Sequence, residues 1–125
     1  MRVVIADERA DALGRAQALI EAESLPAPAI ELDVTDRTAV AGAADEAERV
    51  FGRVQLVCNN AGVNFFAPID ECTYQDWDWL LGVNLGGVVN GVQTFVPRLK
   101  AHGLGGHIVN TASMAAFIAS PNAGI

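Results

Sequence analysis

Short apolar runs alternate along the chain with stretches whose apolar residues recur at helical spacing. Val3-Val4-Ile5-Ala6 is an unbroken apolar run closed by Asp7, the pattern of a strand buried on both faces. From Arg9 to about Glu23, Ala10, Leu13, Ala16 and Ile20 recur with helical period, and Pro26 and Pro28 close the segment. Ala29-Ile30-Glu31-Leu32 is a second strand, ending at Asp33. Thr35 offers a hydroxyl cap to a helix whose apolar face is Val40, Ala43, Ala44, Ala47 and Val50, and Gly52 ends it. Val54 to Cys58 is a third strand. Thr73, with Asp76 three residues on, has the form of a capping box and opens one long helix from Tyr74 to about His102. That helix is about 40 Å long if continuous, with Pro97 expected to bend it or end its regular part. After a glycine-rich turn, His107 to Thr111 is the fourth strand. This rhythm predicts a doubly wound α/β fold with parallel strands and helices on both faces.

Composition narrows the function classes. At 125 residues the chain is one domain at most; 51% of its residues are hydrophobic and 18% charged. The net charge of −7, with eight scattered Lys and Arg, argues against nucleic acid, whose phosphates demand a basic face. No apolar stretch approaches the ~18 residues of a membrane span, and the opening run is too short for a signal peptide. Cys58 and Cys72 are expected as free thiols in a reducing cytoplasm. No cysteine or histidine spacing suggests a metal site.

In doubly wound sheets ligands gather beyond the carboxyl ends of the strands. Those ends carry Asp7, Asp33, the segment Asn59-Asn60-Ala61-Gly62, and Thr111 to Ser113. Asp7 suits either the two hydroxyls of a ribose or the cap of the following helix, and Asp33 has the same two readings. Ala61 and Gly62 let a ligand or another backbone approach closely, or else form a plain turn. Asn84 falls in the stripe of Trp77, Leu80, Leu81, Val88 and Phe95, where a buried amide must tie down a neighbour or hold water. Ser113 is a turn former or a functional hydroxyl; no nucleophile elbow surrounds it, which disfavours a serine hydrolase.

Together these residues resemble the short-chain dehydrogenase/reductase family of classical type. "NNAG" at 59–62, "VNLGG" containing Asn84, and "IVNTAS" ending in Ser113 match three of its motifs in order; "LDVTD" at 32–36 and Asp7 match two weaker ones. The resemblance implies a partial NAD(P)-binding Rossmann domain over residues 1–125, a three-layer αβα sandwich holding strands 2 to 5 and lacking the first. It implies an oxidoreductase that interconverts a small-molecule alcohol and ketone by hydride transfer. Asp33 and Val34 then contact the adenine, Asp7 holds the ribose and favours NAD over NADP, and Asn60, Ala61 and Gly62 lie beside the cofactor. Ser113 bonds the substrate oxygen as charge develops there, and Asn84 anchors a water on the proton route. The long helix, through Val89, Val92 and Val96, is where family members commonly pair, so a homo-oligomer is expected of the intact enzyme.

Two family features are absent. No G-x-x-x-G-x-G turn follows a strand, and no Tyr-x-x-x-Lys exists: Tyr74 is followed four places on by Asp78, and Lys100 is remote from it. The tyrosine's family position falls just beyond Ile125, so the chain reads as cut at both ends. In the strand order 3-2-1-4-5-6 the missing strand lies between the second and fourth, leaving two strand pairs with a gap. The expectation is therefore a polypeptide that by itself folds poorly and turns over no substrate. The competing readings are a non-catalytic nucleotide-binding or interaction remnant, and a phosphate-receiver or flavodoxin-like domain. The last leaves Asn84 and Ser113 unexplained.

Overall fold

Two parallel strand pairs, each with helices packed against it, make up the computed structural model, which describes residues 2–118. The element order is β1 (Ile5–Asp7), α1 (Ala10–Ala22), β2 (Ala29–Glu31), α2 (Arg37–Phe51), β3 (Leu56–Asn59), α3 (Tyr74–Leu81), α4 (Gly87–Ala101) and β4 (His107–Asn110). A π-helical turn, Gly82–Gly86, joins α3 to α4. Strand β1 pairs with β2 so that Ile5 stands opposite Ala29 and Asp7 opposite Glu31; β3 pairs with β4 so that Leu56 stands opposite His107 and Asn59 opposite Asn110. Among the described residues no ladder joins the two pairs. The parallel α/β architecture expected from the alternation is the one observed.

The helices form where their ends are satisfied. Asp36, not Thr35, caps α2, its carboxylate accepting from the amides of Thr38 and Ala39 at 2.8 and 3.1 Å. The Thr35 hydroxyl is already committed to Asp33 Oδ1 at 2.8 Å, which removes it from the competition. Gly52 ends α2 as expected, with φ of +88°. The capping box of Thr73 and Asp76 is present at the start of α3. The Thr73 hydrogen bonds hold the Asp76 carboxyl below its usual range.

The long helix departs from expectation in two ways. It is interrupted by the π turn rather than continuous, and Pro97 lies inside α4, which runs on to Ala101. Its buried stripe is Leu80, Val83, Gly87, Asn90, Gly91 and Leu99, while Leu81 and Asn84 are exposed. The stripe was obscured because two of its members are glycines and one is an amide, residues that hydropathy assigns to a polar face.

Helix α2 packs on α4 through Val40, Ala44 and Ala47. Arg98 of α4 reaches across to both Asp45 and Glu48 of α2. Hydrogen bonding to Asp45 raises the guanidinium's proton affinity, so the clamp keeps its charge. Helix α1 packs on β1 and β2, and α4 on β3.

The strands are less buried than their apolar runs predict: Leu56 and Val109 are each 48% exposed. The accessible surface of 8536 Å² compares with roughly 6,400 Å² for a folded monomer of this mass. Granting the undescribed residues the surface of unfolded chain, roughly 1,200 Å², leaves an excess on the order of 1,000 Å². Parallel sheets are normally covered on both faces; among the described residues the main cover is α1 on the first pair and α4 on the second.

Candidate functional site

The carboxyl ends of the four strands carry two kinds of chemistry. The tips of β1 and β2 are acidic. Asp7 Oδ1 accepts the Arg9 amide at 2.9 Å, with the Arg9 guanidinium 3.9 Å away. Arg9 itself occupies the cap position of α1 without a side-chain bond, so Asp7 closes a tight turn rather than capping the helix. Asp33 Oδ1 accepts both the amide and the hydroxyl of Thr35 at 2.8 Å. Both carboxylates are exposed.

The tips of β3 and β4 are neutral and hydrogen-bonded to each other. Asn59 Nδ2 donates to Asn110 Oδ1 at 2.8 Å, and the Thr111 hydroxyl donates to Asn60 Oδ1 at 2.8 Å. The Thr111 amide donates to the Asn59 carbonyl at 3.0 Å. Two adjacent amides at the end of an apolar run are thus ties between parallel strands. Ala61 and Gly62 follow, exposed; a Cβ on Gly62 would stand 3.4 Å from Asn84 Oδ1 and otherwise meet little.

Asn84 is exposed, not buried in the helix stripe as the periodicity implied. It sits in the π turn, and its side chain takes both backbone groups of Val63: Oδ1 accepts the Val63 amide at 2.8 Å and Nδ2 donates to the Val63 carbonyl at 2.9 Å. A π turn at this point is a local device for presenting one residue differently from its neighbours. Ser113 is exposed just past β4, where its hydroxyl accepts the Ala115 amide at 3.1 Å and caps a short 3₁₀ turn, Met114–Ala116.

Helix α4 joins the acidic and neutral tips. At its first turn Gly87 lies against Val34; a Cβ there would be 2.6 Å from Val34 Cγ2. Asn90, only 8% exposed, donates to the carbonyls of Val34 at 2.9 Å and Thr35 at 3.3 Å. One turn on, Gly91 lies against Asn59, where a Cβ would be 2.1 Å from Oδ1. Gly87, Asn110 and Thr111 lie within the matched motifs but carried no role of their own there, and nothing in the motifs points to Asn90 or Gly91. Two glycines four residues apart in a helix, each unfavourable by up to ~1 kcal/mol there, were the available signal of close backbone approach.

Helix α4 therefore links the loop after β2 to the tip of β3, whose amides are tied to the tip of β4; Asn84 is bonded to the segment after β3, and Ser113 lies three residues past β4. The family model for short chain dehydrogenase matches residues 1–125 in full. The chain belongs to the short-chain dehydrogenase family. It is 51% identical over 124 residues to the C alpha-dehydrogenase of Sphingobium sp. strain SYK-6, a match covering 98% of this chain and 41% of that protein. Among solved structures, the apo form of LigO from the same strain superposes with a TM-score of 0.95 at 52% identity, covering 99% of this chain and 46% of that one. A short-chain dehydrogenase/reductase from Burkholderia phymatum in complex with NAD superposes with a TM-score of 0.94 at 37% identity, covering 99% and 44%. The chain spans less than half the length of the curated relatives it matches. Its fold is the Rossmann-like fold of this family, in part.

Cys58 and Cys72 are both free. Burial, followed by the neighbouring Asp76, Asp70 and Glu71, pushes the Cys72 thiol up. Among the described residues no group of His, Cys, Asp and Glu is placed to hold a metal ion, and no helix is long and apolar enough to cross a membrane. Tyr74 is 90% exposed at the start of α3.

Proposed function

We propose that this chain carries the adenosine-facing and substrate-oxygen-facing parts of an NAD(P)-dependent oxidoreductase that interconverts an alcohol and a ketone. The observation that carries the reading is the link made by α4, which holds the acidic tip of β2 and the neutral tip of β3 to the same helix within one turn. An acidic half suits the hydroxyls of a ribose; a neutral, amide-lined half suits a ring at which charge changes.

In this reading Asp7 accepts from the ribose hydroxyls and disfavours a 2′-phosphate, so NAD is preferred over NADP. Asp33 and Val34 flank the adenine. Asn60, Ala61 and Gly62 form the floor beneath the dinucleotide, small enough to admit it without displacing Asn84. Ser113 donates its hydroxyl to the substrate oxygen, and Asn84 holds a proton-relaying water. The nicotinamide, when bound, supplies or takes the hydride. General acid–base chemistry at the substrate oxygen needs a group of tuned pKa beside Ser113. The family's Tyr-x-x-x-Lys is absent, Tyr74 being followed four places on by Asp78, so the 125-residue polypeptide by itself is expected to turn over no substrate. A small-molecule alcohol or ketone is the partner; pairing of the intact enzyme through the exposed side of α4, near Val89, belongs to the same proposal.

The test places residues 1–125 in the Sphingobium C alpha-dehydrogenase in exchange for its matching segment. Ser113→Ala is expected to lower kcat by at least ~100-fold, the scale of an oxyanion-stabilising donor. Asp7→Ala is expected to erase the preference for NADH over NADPH, since Arg9 is then free to meet a phosphate. Unchanged kcat in the serine variant, or unchanged cofactor preference in the aspartate variant, removes the corresponding role.

A further inference from the structure

We propose that Gly87 and Asn90 of α4 are positioning residues that seat the loop Asp33–Thr35, and so set where the adenine of a dinucleotide lies. The inference rests on the cofactor reading above and adds a role for Gly87, so far only the end of the "VNLGG" motif, and for Asn90, which lies outside every motif quoted. The loop after β2 has few ties of its own: the Asp33 carboxylate bonds only Thr35, and the Asp36 amide turns back to the Asp33 carbonyl at 3.2 Å. Those bonds shape the loop but do not fix it to the rest of the fold.

Fixing comes from α4. Asn90 Nδ2 donates to two successive loop carbonyls from a buried position, and leaving those carbonyls unmatched there is costly. Gly87 supplies the space: Val34 Cγ2 and Cβ stand where a side chain at position 87 would begin, 2.6 and 3.1 Å from its Cβ. The helix thus holds the loop by the backbone on one turn and receives its side chain on the turn before. A helix needing neither feature would carry alanine at 87, which has the better helix propensity. Val34, one of the two residues placed at the adenine, is held by both features, and the other, Asp33, is bonded to Thr35, whose carbonyl Asn90 holds.

The test uses residues 1–125 exchanged into the Sphingobium C alpha-dehydrogenase, as above, with adenosine monophosphate as the probe, and reads amide hydrogen exchange alongside affinity. Asn90→Leu and Gly87→Ala are each expected to weaken adenosine monophosphate binding about tenfold. Both should speed exchange of the Thr35 and Asp36 amides while leaving the Leu32 amide, bonded to the Asp7 carbonyl in the β1–β2 ladder, unchanged. Adding Val34→Ala to Gly87→Ala is expected to restore the slow exchange, because the colliding methyl is gone. Were Val34 not seated against position 87, Gly87→Ala would slow exchange, since alanine strengthens the helix. Unchanged loop exchange in both variants, or faster exchange with unchanged affinity, overturns the proposal. If the parent chain binds no adenosine monophosphate yet the loop exchange responds as expected, the cofactor reading falls and the seat stands.

Discussion

Gly91→Ala puts the contact between α4 and β3 to a quantitative test. A Cβ at position 91 lies 2.1 Å from Asn59 Oδ1, 2.9 Å from its Cγ and 3.1 Å from its Nδ2, so the whole amide must leave. Moving it breaks the 2.8 Å bond from Asn59 to Asn110. The lost bond costs about 1 kcal/mol and the crowding about 1–3 kcal/mol. Against this, alanine in a helix interior gains up to ~1 kcal/mol over glycine. The net expectation is a loss of about 1–3 kcal/mol, a large share of the stability of any small domain. Urea unfolding followed by circular dichroism reads it as a lower midpoint.

The companion variant makes the reasoning exposed to failure. In an Asn59→Ala background the colliding atoms no longer exist, and only the propensity gain remains. Gly91→Ala should then raise the midpoint, reversing its sign. A cost that persists undiminished in that background would mean that the amide is not what position 91 must avoid. Additivity of the two changes is the refuting result, since residues in contact are expected to couple.

Three further outcomes follow from features already described. Gly14 lies within α1 with no atom near the place of a Cβ; Gly14→Ala should therefore stabilise by up to ~1 kcal/mol, and a lower urea midpoint would contradict the packing around α1. The Asp76 carboxyl titrates below its ordinary 3.8 because the folded state bonds its ionised form, so its contribution is present above about pH 4 and is lost as pH falls through the folded value. Exchange of the Thr73 amide should accelerate over that acidic window relative to Leu32, and Asp76→Asn should abolish the pH step; a step that survives the substitution is the negative result. The surplus surface predicts that the isolated chain binds a hydrophobic dye such as ANS and unfolds at low urea, whereas a dye-silent chain with a steep transition above about 4 M would contradict it.

Much of this fold is legible in the sequence because the strands are short apolar runs and their ends are polar. All four runs become strands, but β1 begins at Ile5 and β3 at Leu56, later than the runs that predict them. Hydropathy marks where an apolar segment begins; only a hydrogen-bonded neighbour marks where a strand begins. The α2 cap was misplaced by one residue because Thr35 and Asp36 are both good caps, and a third residue, Asp33, decides between them by engaging Thr35. Asn84 is placed otherwise than its periodicity implies: the π turn puts it at the surface facing the Val63 backbone, and no side-chain periodicity announces a π turn. Asn90 escaped notice because an amide between glycines has no hydrophobic signature, although it is the buried polar residue that ties the β2 loop to the helix.

Helix α4 is keyed at two places, by an amide that grips one loop and by a notch that receives a side chain from the next strand's tip. A helix keyed twice cannot slide or roll without releasing both keys together. Among the described residues the two strand pairs share no ladder, yet both are held to this single rod. The grip and the notch are adjacent positions on it, ~1.5 Å of helical rise apart, so a shift of one pair against the other is opposed at a single point of α4.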